Sequence, residues 1–182
     1  MGARLDGKWG RRRQNASVLA AAVTWSPEMI SADDYLYFVD EQLDAMVRMV
    51  EELGDGLANR ALRAAGSNSP YAILAHCLGV IEFWGGHVVA GRPSARDRDS
   101  EFTARGAVAE LGARTRLVRQ QLEKDLRDAV AGDPPRNEPS KETAELPIGR
   151  TQGGALIHIH EELARHRGHM DITRDLLLLG ID

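Results

Sequence analysis

The chain of 182 residues is long enough to bury the core of one domain, and two domains would be cramped within it. Apolar residues make up 43% of the sequence and charged residues 27%, as in globular proteins, and the formal net charge is −4. An acidic balance argues against a nucleic-acid-binding protein, which needs a concentrated basic surface. No uninterrupted apolar run approaches the length of a membrane span, so we expect neither nucleic acid nor a membrane as a partner.

The N-terminal segment contains three arginines at positions 11–13, followed by an apolar stretch at 16–23. This order resembles a signal peptide, but the apolar stretch is short and no clean cleavage site follows it. We therefore expect residues 1–30 to form a flexible tail and residues 31–182 to form one folded domain. The single cysteine, Cys77, excludes an internal disulfide and favours a reducing compartment, so we expect a cytoplasmic protein.

Apolar side chains recur at helical spacing in two segments of the first half of the chain. The first segment begins after Ser31, a residue type that caps helix N-termini, and the glycines at positions 54 and 56 are predicted to end it. The second runs from Pro70 to about Val89, and its apolar face is wide enough to be buried on more than one side.

Two further helices are predicted at residues 103–131 and 152–179. The segments before them, 92–105 and 132–150, are rich in charged, turn-forming or proline residues and are predicted to be long loops. No alternating apolar pattern that would indicate strands occurs anywhere in the sequence. The expected fold class is therefore all-α, an antiparallel four-helix bundle with long crossover loops.

The last predicted helix concentrates four of the six histidines in the protein. Within it, Glu162 and His166 are four residues apart, so they share one face at a separation of ~6 Å. This face borders the apolar stripe of the helix, where a carboxylate and an imidazole must find a partner, a proton or a metal ion. His76 lies inside the apolar stripe of the second helix and could stand opposite them.

Two imidazoles and one carboxylate form a ligand set that leaves coordination positions open for water or substrate. His76, Glu162 and His166 are therefore candidate ligands of a divalent metal ion, and we assign no separate catalytic residue. Zinc suits this set best, and nickel, iron(II) and manganese are compatible with the same donor types.

Each of these residues also has an ordinary structural interpretation. A buried histidine such as His76 is more often hydrogen-bonded within a core than bound to metal, and glutamate–histidine pairs at this spacing are common on exposed helices. One turn before Glu162, His158 could be a fourth ligand, could orient another ligand, or could lie exposed at the start of the helix. His169, about one turn after His166, is the second candidate for orienting ligands.

Residues 68–84, in which His76 precedes a glutamate and an aromatic pair, resemble the second-helix signature of the DinB-like superfamily. Residues 97–102 and 151–177 are similar to an actinobacterial branch of that superfamily, which includes mycothiol-transferase-like proteins. The resemblance covers residues 31–179. It implies a four-helix bundle, often a homodimer, with a divalent metal ion held by three side chains.

Many members of that superfamily use three histidines, whereas this chain has Glu162 in place of the first histidine of the last helix. The mycothiol-dependent maleylpyruvate isomerases are similar in having a His, Glu, His set. The resemblance implies a metal-dependent transferase whose partners are a low-molecular-weight thiol and a small electrophile. Two other classes stay open: a non-enzymatic dimeric bundle or stress-related binding protein, and a metal-dependent hydrolase that uses the same three ligands.

Overall fold

A computed structural model describes residues 30–181 of the chain. Within that range there are four long helices, three single-turn helices and no strand, which confirms the predicted all-α class. The predicted tail lies outside the described residues except for its last position, so the division into a tail and one domain stays a prediction. In chain order the helices are α1 (Ala32–Ala58), α2 (Pro70–Ile81), α3 (Arg98–Glu101), α4 (Val108–Asp125), α5 (Lys141–Ala144), α6 (Pro147–Arg150) and α7 (Gln152–Leu178).

The first helix begins where the sequence predicts but extends beyond its predicted end. The Ser31 hydroxyl accepts a hydrogen bond from the backbone N–H of Asp34, and the Asp34 carboxylate accepts one from the backbone N–H of Ser31. Gly54 adopts a φ of 62°, which glycine tolerates and other residues rarely do, and it kinks the helix without ending it.

The segment of α1 after this kink holds the start of α4. The Asp55 carboxylate accepts a hydrogen bond of 2.8 Å from the backbone N–H of Val108, the first residue of α4. The Asn59 side chain hydrogen bonds to both the backbone N–H and the carbonyl of Gly106. These contacts satisfy backbone groups that a helix start leaves unpaired, and they attach the loop before α4 to α1.

The second predicted helix is present over its whole length, but its last part has π-helical geometry, at Glu82–Val89. A side-chain carbon at Gly86 would overlap the Arg92 guanidinium, so this glycine permits a close approach. The stretch Pro70–Val89 is, among the described residues, the one helix long and apolar enough to cross a membrane by length and composition. Since 83% of its 18-residue apolar window is buried within the bundle, its apolar character is accounted for by a central position in the core.

In the bundle, α1 and α2 each pack against the other three long helices, whereas α4 and α7 occupy opposite corners. Two contacts show that α1 and α7 run parallel. The Tyr35 hydroxyl donates to the Leu156 carbonyl near their starts, and Arg174 pairs with Glu52 near their ends. The expectation of an antiparallel bundle therefore does not hold for this pair of neighbours.

The helices α2 and α4 also run parallel. Tyr71, at the start of α2, contacts Gly106 just before α4, and Arg92, after the π-helical segment, pairs with Asp125 at the end of α4. The connection between two parallel helices must return along the length of the bundle. This crossover confirms the predicted long loop at 92–105, and it carries α3, which the sequence did not predict, past the middle of α2.

The third predicted helix, at residues 103–131, is longer than the observed α4 at both ends. At its start, Ala107 has extended backbone geometry, and the carboxylate from α1 caps the following residue. At its other end, the helix stops at Asp125. Five residues later, the backbone N–H of Val130 donates a hydrogen bond to the side chain of Gln152 on α7. The start of α4 thus depends on a contact with α1, and the segment after its end is held by α7. The second predicted loop, 132–150, contains α5 and α6.

Candidate metal centre

The three predicted metal ligands lie together between the middle of α2 and the middle of α7. Glu162 Oε2 is 3.5 Å from His76 Nε2 and 3.6 Å from His166 Nε2. One candidate ligand atom from each of the three side chains lies within 4.8 Å of the others. Glu162 and His166 are one turn apart on α7, and His76 faces them from α2. Their donor atoms therefore converge on a space that could hold one cation.

His76 is held from the other side by Glu101, a residue that no sequence pattern marks as part of the site. The Glu101 carboxylate, on the last residue of α3, lies 2.7 Å from His76 Nδ1 and is only 8% exposed. With Nδ1 engaged by this carboxylate, Nε2 is the nitrogen that faces Glu162. Arg96 donates to both Glu101 oxygens, at 2.6 and 2.8 Å, and the Phe102 ring stacks on the imidazole at 4.6 Å.

Gly79, one turn after His76, provides the space that the Glu101 carboxylate occupies. A side-chain carbon at this position would overlap Oε1 of Glu101. A lone glycine inside an apolar helix often marks such a close approach, and it is the one sequence signal that could have pointed here. Glu101 itself lies in a segment predicted to be a surface loop, where no periodicity identifies an inward-facing residue.

The candidate ligands on α7 are held more loosely. His166 is 18% exposed, and its Nδ1 is buried without a hydrogen-bond partner among the described residues. Glu162 directs Oε2 toward the two imidazoles, while Oε1 accepts a hydrogen bond of 2.5 Å from Arg165. The neighbouring imidazoles of His166 and His76 hold the pKa of Glu162 well below its usual range, so the carboxylate is ionised at neutral pH.

His158 belongs to a second group of candidate donors, together with Glu161 and Glu162. Its Nδ1 is 3.2 Å from Glu161, and its ring packs edge-on against Trp84. Burial lowers the pKa of His158, which favours a neutral ring. Because Glu161 is exposed and ion-paired with Arg165, this group is a weaker candidate for a cation than the first.

The other titratable residues singled out in the sequence lie farther from the cluster. His169 is exposed, and its ring centroid is 6.3 Å from that of His166. The pKa of His169 is lowered, mainly by desolvation and to a smaller extent by the charge of His166. His160 packs edge-on against an aromatic ring of α1, and His87 Nδ1 hydrogen bonds to a backbone carbonyl after the π-helical segment. Cys77 is fully buried, and burial raises the pKa of its thiol, so it is an uncharged core residue.

A pocket of about 440 Å³ opens beside the cluster, a size suited to small molecules. It combines two candidate ligands of the cluster, the neighbouring histidine on α7, an apolar wall, two arginines and two hydroxyl groups. In that order its lining residues are His76, Glu162, His158, Val80, Phe83, Trp84, Arg96, Arg98, Ser140 and Thr143. The cluster is therefore accessible to a small ligand from one side.

A model of the mycothiol-S-transferase family matches residues 35–178, a range that contains the three clustered residues and Glu101. A comparison with curated proteins found no match. The family match agrees with the resemblance noted in the sequence and with the helical fold. Because it spans well over half of the chain, this protein belongs to the mycothiol-S-transferase family.

Proposed function

We propose that this protein is a divalent-metal-dependent thiol S-transferase that joins a mycothiol-type thiol to a small electrophile. The observation that carries the proposal is the convergence of His76, Glu162 and His166 beside an open pocket, in a chain of this family. The donor set suits zinc, and nickel, iron(II) and manganese are compatible with it.

The chemistry of the donors supports a resident cation. His76 Nε2 is available because Nδ1 is engaged with Glu101, and Glu162 presents an ionised oxygen to the same space. His166 Nε2, 3.6 Å from the same Glu162 oxygen, adds a second imidazole nitrogen to that space. When bound, a divalent cation would stabilise the thiolate, which is the nucleophilic form of a thiol.

The residues of the chain that line the pocket bind and orient the reactants. Val80, Phe83 and Trp84 form an apolar wall that excludes water from one side of the reacting sulfur. His158, between that wall and Glu162, offers a ring nitrogen that can hydrogen bond to the thiol. In the reaction the thiol loses its proton to solvent, its sulfur bonds to the electrophilic carbon, and the leaving group departs with the electron pair of the broken bond.

Metal analysis of the purified full-length protein is the first test. We expect one divalent ion per chain, retained or taken up on addition of zinc, and loss of that ion in Glu162→Ala. Glu161→Ala is the matched control, because it removes the neighbouring, exposed carboxylate and should leave the metal content unchanged. A wild-type protein that takes up no divalent ion would contradict the proposal.

Thiol transfer is the second test. With mycothiol and 1-chloro-2,4-dinitrobenzene, we expect thioether formation that a chelator abolishes and zinc restores. Omission of the thiol should stop consumption of the electrophile. Consumption at the same rate without thiol would instead indicate a metal-dependent hydrolase.

A further inference from the structure

We infer that the pocket beside the candidate metal ligands selects electrophiles that carry a carboxylate or a similar anionic group, and that Arg98 binds this group. The inference rests on the proposed function, since it names the class of electrophile for the same site.

Arg98 is the pocket arginine that keeps its charge available. It is the first residue of α3 and lines the pocket together with His76 and Glu162. The other arginine there, Arg96, already donates to both oxygens of Glu101. Arg98 has no ion pair with a carboxylate within residues 30–181. A guanidinium without a counter-charge at the edge of a pocket presents a forked set of donors that matches a carboxylate.

The guanidinium of Arg98 is nevertheless held in a defined place. Its Cζ lies over the Phe102 ring, 5.1 Å from the ring centroid, and Phe102 stacks on His76. Guanidinium, phenyl ring and imidazole thus form one continuous stack that leads from the pocket edge to a candidate metal ligand. A cation–π contact restrains the guanidinium without neutralising its charge or consuming its hydrogen-bond donors. Such preorganisation reduces the entropy lost when a ligand binds.

The rest of the pocket indicates what lies between the anion and the reactive carbon. Its wall is formed by Val80, Phe83 and Trp84, which favour an apolar or aromatic body. The Ser140 and Thr143 hydroxyls, 3.2 Å apart, add hydrogen-bonding groups that carry no charge. A small aromatic or unsaturated carboxylate has this distribution of apolar and anionic parts.

The acidic groups of the site do not oppose an anionic ligand. Glu101 is paired with Arg96 on the side of His76 away from the cluster, and Glu162 is paired with Arg165 and faces the proposed cation site. With a divalent cation present, the charges that face the pocket sum to a positive value. A neutral electrophile of the same size would gain nothing from this field.

The experiment compares two electrophiles that differ in one charge, 4-chloro-3,5-dinitrobenzoate and its methyl ester, with the zinc-loaded full-length protein and mycothiol. In both, the sulfur bonds to the ring carbon that carries chlorine, the C–Cl bond breaks, chloride leaves with the electron pair and the thiol proton passes to the buffer. We expect the wild type to prefer the acid in kcat/KM. Arg98→Gln should reduce the acid-to-ester ratio by about tenfold or more, as for loss of a charge-assisted hydrogen bond.

Arg105→Gln is the matched control, because it removes the same charge from an exposed residue that does not line the pocket. It should keep the wild-type ratio, and Arg98→Lys should restore part of it. If Arg98→Gln leaves the ratio unchanged, or if Arg105→Gln lowers it equally, the assignment of Arg98 is overturned while the transferase function stands.

Binding of the unreactive 3,5-dinitrobenzoate, measured by calorimetry, separates this inference from the proposed function. If no variant transfers thiol but Arg98→Gln weakens this binding about tenfold relative to Arg105→Gln, the anion site stands and the transferase function fails. Equal binding to both variants overturns the anion site whether or not transfer is observed.

Discussion

The two histidines of the candidate metal centre are held in opposite ways. His76 on α2 is 2% exposed, and its Nδ1 is engaged with a buried carboxylate. His166 on α7 is 18% exposed, and its Nδ1 has no partner among the described residues. An imidazole whose nitrogen is hydrogen bonded to a buried carboxylate is fixed in place by the protein, whereas one without such a partner is fixed less firmly. The α2 side of the site is therefore fixed by hydrogen bonds within the core, and the α7 side is held less firmly by the described residues.

The sharpest way to break this comparison is to remove each histidine in turn and measure the stability of the metal-free protein. His76→Ala should lower the free energy of unfolding by about 2–4 kcal/mol, because it leaves a cavity and unpaired buried groups around Glu101. His166→Ala should lower it by less than about 1 kcal/mol. Urea denaturation in the presence of a chelator measures both, and equal losses would show that the two sides are not held differently.

The carboxylate behind His76 provides the next test. Glu101→Gln keeps a hydrogen-bond acceptor for Nδ1 but removes the charge, so zinc affinity should fall about 10- to 100-fold, as for other partners of ligating histidines. Glu161→Gln makes the same change at an exposed acid on α7 and should alter zinc affinity little. Competition with a chromophoric chelator measures both affinities. An unchanged affinity in Glu101→Gln would mean that Glu101 has only a structural role.

A pair of glycine substitutions, one on α2 and one on α7, tests how tightly each side of the site is packed. Gly79→Ala introduces a carbon that overlaps Glu101, so it should cost about 1–2 kcal/mol of stability and also weaken zinc binding. Gly168→Ala introduces the same carbon on α7, where nothing lies within 4 Å, and should raise stability by up to about 1 kcal/mol. Thermal denaturation with and without zinc distinguishes them, and a stabilised Gly79→Ala would contradict the packing described for Glu101.

The smallest expected effect concerns Glu162, which both imidazoles share. The pKa of Glu162 is held below its ordinary value of 4.5 by His166 and His76, so its ionised form stabilises the fold above that pH. The contribution is lost as the pH falls through the lowered pKa of the folded state. In the metal-free protein, Glu162→Gln should therefore cost stability, by less than about 1 kcal/mol, near neutral pH and progressively less on acidification below 4.5. A cost that grows as the pH falls would contradict this assignment.

Most of the fold could be predicted from the sequence because long amphipathic helices repeat their apolar pattern over several turns. The extent of α4 could not, since its start is capped by Asp55 of α1 and the segment after its end is held by Gln152 of α7, and neither contact is local in sequence. The single turn of α3 could not either, because four residues are too few to show a period. Parallel packing of α2 and α4 depends on the path of a loop, which no local pattern encodes.

Only part of the candidate site could be predicted, because some of its residues lie where no local sequence pattern occurs. The register of Glu162 and His166 follows from helix geometry alone, and the apolar surroundings of His76 identify it as the partner from α2. Glu101 and Arg98 lie in a segment without periodicity, so only the folded crossover shows that they flank the cluster. That these residues bind a metal ion stays a prediction until the metal content is measured.

The short end of α1 beyond its kink has a consequence for how distant positions control the site. Asp55 and Asn59 anchor the loop that precedes α4, and this loop is the downstream attachment of the crossover that carries Arg98 and Glu101. Loosening the anchor would let the whole crossover shift relative to α2, although neither anchoring residue touches the pocket. A random-mutagenesis screen for lost activity should therefore recover Asn59 variants that still fold, and their defect should lie in substrate binding and metal retention together.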